Sequence, residues 1–203
     1  MTFCPDNKDW GGKVLDLGEI PVIMPGHNIV WINSLAITPK EIIKIFPTLS
    51  SESVYNFFLR GDSVVLKALK DVSIIPTLHP SIGVEFPSNR MLKFMNKGTT
   101  IDILTKVILK FLENGSAVCL NLILGWPNLV ESDINEAKEF LKKLSLFKNN
   151  VILSTSLLVS FVKDDNTISR INNLNKVFYT YNLNREQKKL NDRVLNLYRN
   201  FNS

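Results

Sequence analysis

Cysteine and histidine are scarce in this sequence of 203 residues, which contains two of each. The two cysteines, Cys4 and Cys119, are too few for a disulfide framework, and an iron–sulfur cluster needs more thiolate ligands than they can offer. The two histidines, His27 and His79, do not stand at a suitable spacing from the cysteines for a zinc finger. We therefore expect neither a metal centre nor an iron–sulfur cluster from this chain alone.

Long apolar runs are missing as well. No run reaches the roughly 18 apolar residues that a membrane helix needs. Charged residues such as Asp6 and Lys8 stand where a secretory signal would have its apolar segment. The net charge of +5 is spread over the chain, without a basic stripe in which aromatic residues alternate. We expect a cytoplasmic protein with reduced cysteines, which binds neither a membrane nor nucleic acid.

Beyond an irregular segment over residues 1–20, short apolar runs alternate with helical patterns. Val22–Met24 and Asn28–Ile32 are candidate strands on either side of a Pro25-Gly26 turn. Thr38-Pro39-Lys40-Glu41 has the pattern of a helix start, with Thr38 as the N-cap and Glu41 three positions later. The helix should end near Ile45 or Phe46, because Pro47 follows.

After a first strand and a short helix, the centre of the chain from Pro80 reads as strand, helix, strand, helix, strand. The candidate strands are Val54–Leu59, Pro80–Glu85, Ala117–Leu124 and Val151–Val159, and the candidate helices are Val64–Leu69, Asn89–Met95, Thr100–Asn114 and one capped by Ser132. Ala117–Leu124 is almost wholly apolar, as in a strand covered on both faces. Short links between apolar strands predict a parallel sheet with right-handed crossovers.

The last part of the chain has a weaker pattern. Lys163–Asn175 is polar and is predicted to be a loop, and Val177–Tyr181 is a candidate short strand. Arg185–Phe201 is predicted to be a charged terminal helix with leucine, valine and phenylalanine along one side. That helix is expected to pack on the domain or on a partner.

Several residues suited to ligand binding follow the predicted strands. Ligands bind at the carboxyl ends of the strands in barrel-like parallel sheets. Arg60, Glu85 and the Gly125-Trp126 pair come at such ends, together with hydroxyl groups around Ser156. Structural roles are equally open at this point. Arg60 and Glu85 can pair with each other or with Lys97, Gly125 can simply turn the chain, and Trp126 can be a packing residue.

A family resemblance covers residues 54–160 well. The stretch Gly83–Thr100 is similar to the fourth-strand motif of radical S-adenosylmethionine (SAM) enzymes, and Gly125-Trp126-Pro127 resembles the motif after their next strand. Upstream, Phe57–Asp62 is similar to their third strand, and Leu197–Phe201 resembles the end of the cobalamin-dependent subgroup. The resemblance implies an α/β fold, an incomplete (β/α) barrel with mostly parallel strands and a C-terminal helix.

By position, the resemblance assigns SAM contacts to Arg60, Glu85, Ser88, Gly125 and Trp126. It implies a domain division with the irregular segment at 1–20, the partial barrel at 21–182 and the terminal helix at 183–203. No catalytic residue is assigned, because the CxxxCxxC loop that holds the family's cluster has no counterpart in this sequence. An unpaired strand edge is expected near residues 22–32 or 54–60.

Three functions remain open from the sequence. The first is the C-terminal half of a split or truncated radical SAM enzyme, with a partner subunit that carries the cluster. The second is a non-catalytic binding or scaffold subunit of a complete radical SAM enzyme. The third is an α/β enzyme of unrelated chemistry. Whether the chain is an enzyme is undecided at this point, and any SAM affinity should be weak without the chelating cluster.

Overall fold

The computed structural model describes residues 29–160, 167–173, 176–181 and 183–202. The predictions for residues 1–20, for the Val22–Met24 strand and for the Pro25-Gly26 turn lie outside the described residues, as do Cys4 and His27.

The centre of the fold is a parallel sheet of five strands. Their order in space is their order in the chain, and every neighbouring pair is parallel. The strands are β1 (Ile29–Ile37), β2 (Val54–Leu59), β3 (Leu78–Glu85), β4 (Val118–Leu124) and β5 (Val151–Leu157). Within the described residues the sheet does not close, because β1 and β5 stand at its edges. The predicted α/β fold with an incomplete, mostly parallel barrel is confirmed.

Helices connect the strands and cover one face of the sheet. They are α1 (Pro39–Ile45), α2 (Ser63–Ala68), α3 (Asn89–Phe94), α4 (Ile101–Leu112), α5 (Glu131–Leu144) and the terminal α6 (Arg185–Asn202). The predicted capping box of α1 is confirmed. The amide of Glu41 donates to Thr38 Oγ1 at 3.3 Å, and the amide of Thr38 donates to Glu41 Oε2 at 2.6 Å. None of the helices in the described ranges has the length and apolar composition for a membrane span.

The hydrophobic core lies between the sheet and these helices. Alternate residues of β2, Tyr55, Phe57 and Leu59, are buried there, in keeping with the two-residue period of a strand. Phe46, Phe57 and Phe111 form an aromatic cluster with centroid separations of 5.5, 6.5 and 6.2 Å. Such edge-on and tilted contacts add to the free energy gained by burial.

Among the described residues, no helix covers the other face of the sheet. Its most exposed apolar residues are Ile29 at 71%, Trp31 at 62%, Ile152 at 58% and Phe58 at 44%. The expectation that both faces of β4 are covered is wrong, because the side chain of Cys119, which points to this face, is only half-buried. The surface is called the open face below, and it comprises Ile29, Trp31, Asn56, Phe58, His79, Ser81, Cys119, Asn121, Ile152 and Ser154.

Two sequence predictions are corrected by the structure. Ser132 does not cap its helix, because α5 already begins at Glu131 and the amide of Val130 donates to Asp133 Oδ2 at 2.9 Å. The predicted loop is also wrong in part, because Thr167–Asn173 is a strand, β7, that pairs antiparallel with β8 (Lys176–Tyr181). The short β6 (Val159–Ser160) pairs with the other side of β8. Backbone pairing needs no apolar side chains, so the polar composition of β7 hid it.

The terminal helix packs on the domain, as one of the two sequence alternatives had it. Helix α6 contacts α5, β4 and β5, and buries Leu190, Val194 and Tyr198. It begins at Arg185, the residue at which the sequence pattern placed its start.

Candidate functional site

Arg60 lies at the carboxyl end of β2 and is largely exposed. Its Nε is 3.1 Å from Asp62 Oδ2, and Asp62 in turn accepts the amides of Val64 and Val65 at the start of α2. The carboxylate therefore caps a helix as well as pairing with Arg60. An exposed ion pair of this kind contributes little stability, so the guanidinium is available to a ligand.

Glu85 ends β3 in an unusual backbone conformation. Its φ is 61°, in the left-handed region that residues other than glycine and asparagine seldom adopt. Lys97 Nζ donates to Glu85 Oε1 at 3.0 Å, and both side chains are partly buried. The sequence left open whether Glu85 pairs with Arg60 or with Lys97, and the structure contains the pair with Lys97. Gly83 makes room for it, because a Cβ there would lie 2.7 Å from Glu85 Oε1.

A hydrogen bond ties the segment that follows α3 to the carboxyl end of β2. The hydroxyl of Thr99, in the segment between α3 and α4, donates to the carbonyl of Gly61 at 2.6 Å. Lys97 lies two residues before Thr99, so the segment that carries Lys97 is anchored beside Arg60. We call the group Arg60, Asp62, Glu85 and Lys97 the rim.

The loop after β4 is held by the terminal helix. Asn191 Oδ1 accepts the amides of Gly125 at 2.9 Å and of Trp126 at 3.1 Å, and Asn191 Nδ2 donates to the carbonyl of Trp126 at 2.9 Å. Gln187 makes a similar pair of bonds with the backbone of Leu129, each at 3.0 Å. Gly125 has a φ of 88°, so it also serves the turn.

Trp126 is buried in the core, as the packing alternative had it. Its side chain is almost wholly inaccessible, and its Nε1 donates to the carbonyl of Ile123 at 2.8 Å. The indole is therefore part of the core rather than of an accessible ligand surface.

Ser88 belongs to a buried polar network between α3 and α5. Its hydroxyl accepts the amide of Met91 at the start of α3 and donates to Asp133 Oδ1 at 2.5 Å. The carboxylate of Asp133 is fully buried and also forms an ion pair with Arg90. Burial by itself raises the pKa of Asp133, but hydrogen bonds from Arg90, Ser88 and the Val130 amide outweigh it and hold that pKa below its usual value.

The five predicted ligand residues therefore separate into two groups. Arg60 and Glu85 lie on the rim, where each has one ionic partner. Ser88, Gly125 and Trp126 each make hydrogen bonds inside the domain. Sequence reasoning missed Asn191, although a signal existed. Gln187 and Asn191 are polar residues four apart on the side of the helix that continues to the buried Val194 and Tyr198.

The donor set of the rim fits part of SAM but not an iron–sulfur cluster. Across the described ranges no three potential metal ligands come together, and Cys119 is the one cysteine they contain. By contrast, two carboxylates and two cations stand at or beside the strand ends, and groups of these two kinds bind the ammonium and the carboxylate of an amino-acid moiety. A separate groove of about 510 Å³ lies between α3 and α4, lined by Asn89, Lys93, Asn96, Gly98, Thr99, Thr100 and Ile103.

The chain matches no protein-family model, and no curated protein is significantly similar to it. The features that bear on function are therefore the rim and the open face.

Proposed function

We propose that this chain is a radical-SAM-like subunit without its own cluster, which contributes the SAM- and substrate-binding strand ends to a barrel that a cluster-bearing partner subunit completes. One observation carries the proposal. Five parallel strands follow one another in chain order, the sheet stays open within the described residues, and charged side chains gather at its carboxyl edge. Ligands bind at that edge in barrel-like sheets.

The rim suits the amino-acid part of SAM, which carries an ammonium and a carboxylate group. Glu85 would accept the ammonium, while Lys97 and Arg60 would pair with the carboxylate. The ligand would thereby replace the internal Glu85–Lys97 bond with two charge-assisted bonds of its own. The left-handed φ of Glu85 supports this role, because costly backbone conformations concentrate at functional sites.

In the assembled enzyme, the cluster of the partner would supply the electron that cleaves SAM. The residues of this chain would bind and orient the ligand. Without the cluster of the partner, the chain is proposed to be inactive on its own.

Titration calorimetry of the full chain with SAM tests the rim. We expect weak binding, with a Kd of roughly 0.1–1 mM, and a loss of about tenfold or more in Glu85→Ala, since a hydrogen bond to a charged group contributes about 1.5–3 kcal/mol. Glu139→Ala, which removes an exposed carboxylate on α5, is the matched control and should bind as the wild type does. Binding that is unchanged in Glu85→Ala would exclude the rim as the site.

The second candidate is a scaffold subunit that binds no SAM. The internal hydrogen bonds of Ser88, Gly125 and Trp126 favour it, because three of the five residues in the family-like motifs then need no ligand. A wild-type chain that gives no heat with millimolar SAM, yet assembles with a cluster-bearing subunit, would establish this alternative.

A further inference from the structure

The open face is continuous across all five strands. The strand register places Trp31, Asn56 and His79 side by side on β1, β2 and β3. A second row runs through Phe58, Ser81, Cys119 and Ile152, from β2 to β5. Adjacent strands lie about 4.8 Å apart, so these rows form one surface rather than scattered exposed residues.

Apolar residues stand at both sides of this surface and polar residues in its middle. Ile29, Trp31 and Phe58 form the β1–β2 side, and Ile152 lies on β5 at the opposite side. His79, Ser81 and Asn121 occupy the strands between them. Exchange of the two edges of the sheet therefore places apolar residues of one copy over apolar residues of the other, which is the self-complementarity that a two-fold symmetric contact requires.

Charge on this side of the sheet is confined to its carboxyl edge. None of the residues that define the open face is a lysine, arginine, aspartate or glutamate, and the Glu85–Lys97 pair, which lies over Gly83 on the same side of β3 as Ser81, carries no net charge. Partial burial lowers the pKa of His79, against a backbone hydrogen bond at Pro76 that raises it, so the imidazole is neutral at pH 7.

The area is sufficient for a specific contact. Five strands about 4.8 Å apart and about 20 Å long present roughly 480 Å² of geometric surface. Two such faces bury about 1,000 Å² in total, the lower limit for a specific interface. Trp31 supplies the kind of large aromatic anchor that dominates interface energies.

We propose that the open face is the interface of a homodimer, with the sheet of a second copy stacked on it. The two-fold axis runs parallel to the strands, so that β1 of one copy lies over β5 of the other and Trp31 packs near Ile152 of the second copy. The polar residues in the middle of the open face, His79, Ser81 and Asn121, face those of the second copy and form hydrogen bonds with them. Sheets packed in this way lie about 10 Å apart.

This inference does not rest on the proposed function. A cluster-bearing partner that closes the barrel would have to displace the second copy, because both would use the open face. SAM binding at the rim and dimerisation through the open face are measured separately, so failure of one does not imply failure of the other.

Sedimentation velocity of the full chain between about 1 and 100 µM tests the dimer. We expect a dimer for the wild type and a monomer for Trp31→Glu. The Kd of the dimer should rise by about a hundredfold or more, because the symmetric contact loses its Trp31 anchor twice. Leu146→Glu is the matched control, since Leu146 is 89% exposed and lies outside the sheet. Circular dichroism and thermal unfolding should show that both variants remain folded.

A charge exchange tests the proposed register. Trp31→Lys and Ile152→Glu should each be monomeric alone, and an equal mixture of the two should form a heterodimer through the new ion pair. A wild-type monomer at 100 µM, or a Trp31→Glu dimer, would overturn the proposal. If the wild type is monomeric, acrylamide quenching compared with Trp31→Phe identifies the true occupant. A shielded Trp31 would indicate cover by another segment of this chain, such as residues 1–28, and an accessible Trp31 would show that nothing in the lone chain covers the open face.

Discussion

Replacing Asn191 with alanine should loosen the loop after β4 without touching the sheet. The side chain bonds three backbone groups of that loop, the amides of Gly125 and Trp126 and the carbonyl of Trp126. In Asn191→Ala all three lose their partner at once. Its fourth bond, to the carbonyl of Gln187, lies within α6 itself and contributes less to docking.

The expected cost follows from burial. Leaving a buried polar group without a hydrogen bond costs about 1–3 kcal/mol, and water can reach Gly125 more readily than the buried amide of Trp126. Counting Trp126 in full and Gly125 in part, we expect Asn191→Ala to lower the free energy of unfolding by about 2–4 kcal/mol. Asn191→Asp keeps the acceptor and loses the donor, so it should fall between alanine and the wild type.

Urea unfolding followed by circular dichroism measures the effect. Asn196→Ala is the control, because Asn196 is exposed on the same helix and its loss should change the free energy of unfolding by less than about 0.5 kcal/mol. A change in Asn191→Ala as small as in this control would refute the reasoning. It would mean that α6 does not position the loop through this side chain.

Two further predictions concern stability. Because the folded-state pKa of Asp133 is lowered, its stabilisation is present at neutral pH and is lost as pH falls below about 4 through that pKa. The stability difference between the wild type and Asp133→Asn should therefore shrink in acid, and a difference independent of pH between 7 and 3 in urea titrations would contradict this. A Cβ on Gly61 would overlap the Leu104 side chain, so Gly61→Ala should lower the melting temperature through an overpacking cost of about 1–3 kcal/mol. Gly98→Ala, which meets no atom but keeps a φ of 64°, should cost only about 1 kcal/mol, and equal losses would argue against the overlap.

The parallel core of the fold was predictable because the spacing of apolar residues and the helix-capping residues indicate the same elements there. Thr38 and Glu41 marked a helix start that the structure contains, and the candidate strands of the centre all form. Exposure of the second sheet face was not predictable from β4. Its apolar composition is the same whether one face or two are covered, and Cys119 and Asn121 were the only residues that pointed to the open side.

The candidate site was predictable in type but not in detail. Glu85 and Arg60 were expected at strand ends, and that is where they lie. Sequence reasoning could not show that distant residues of the chain already form hydrogen bonds with some of the predicted ligand residues. Asn191 is distant from Gly125 in sequence, and Asp133 is distant from Ser88, so neither contact leaves a local pattern.

The residues of the site differ in whether packing alone explains them. Ser88 caps a helix and Gly125 provides a left-handed turn, so both have structural reasons to be where they are. Glu85 has no such reason. Its left-handed backbone conformation costs about 1–2 kcal/mol, which glycine would avoid. Its partly exposed ion pair with Lys97 contributes little stability in compensation. Conflicts between local preference and observed conformation are expected where function constrains a residue. Glu85 is therefore the residue at which the ligand experiment is most informative.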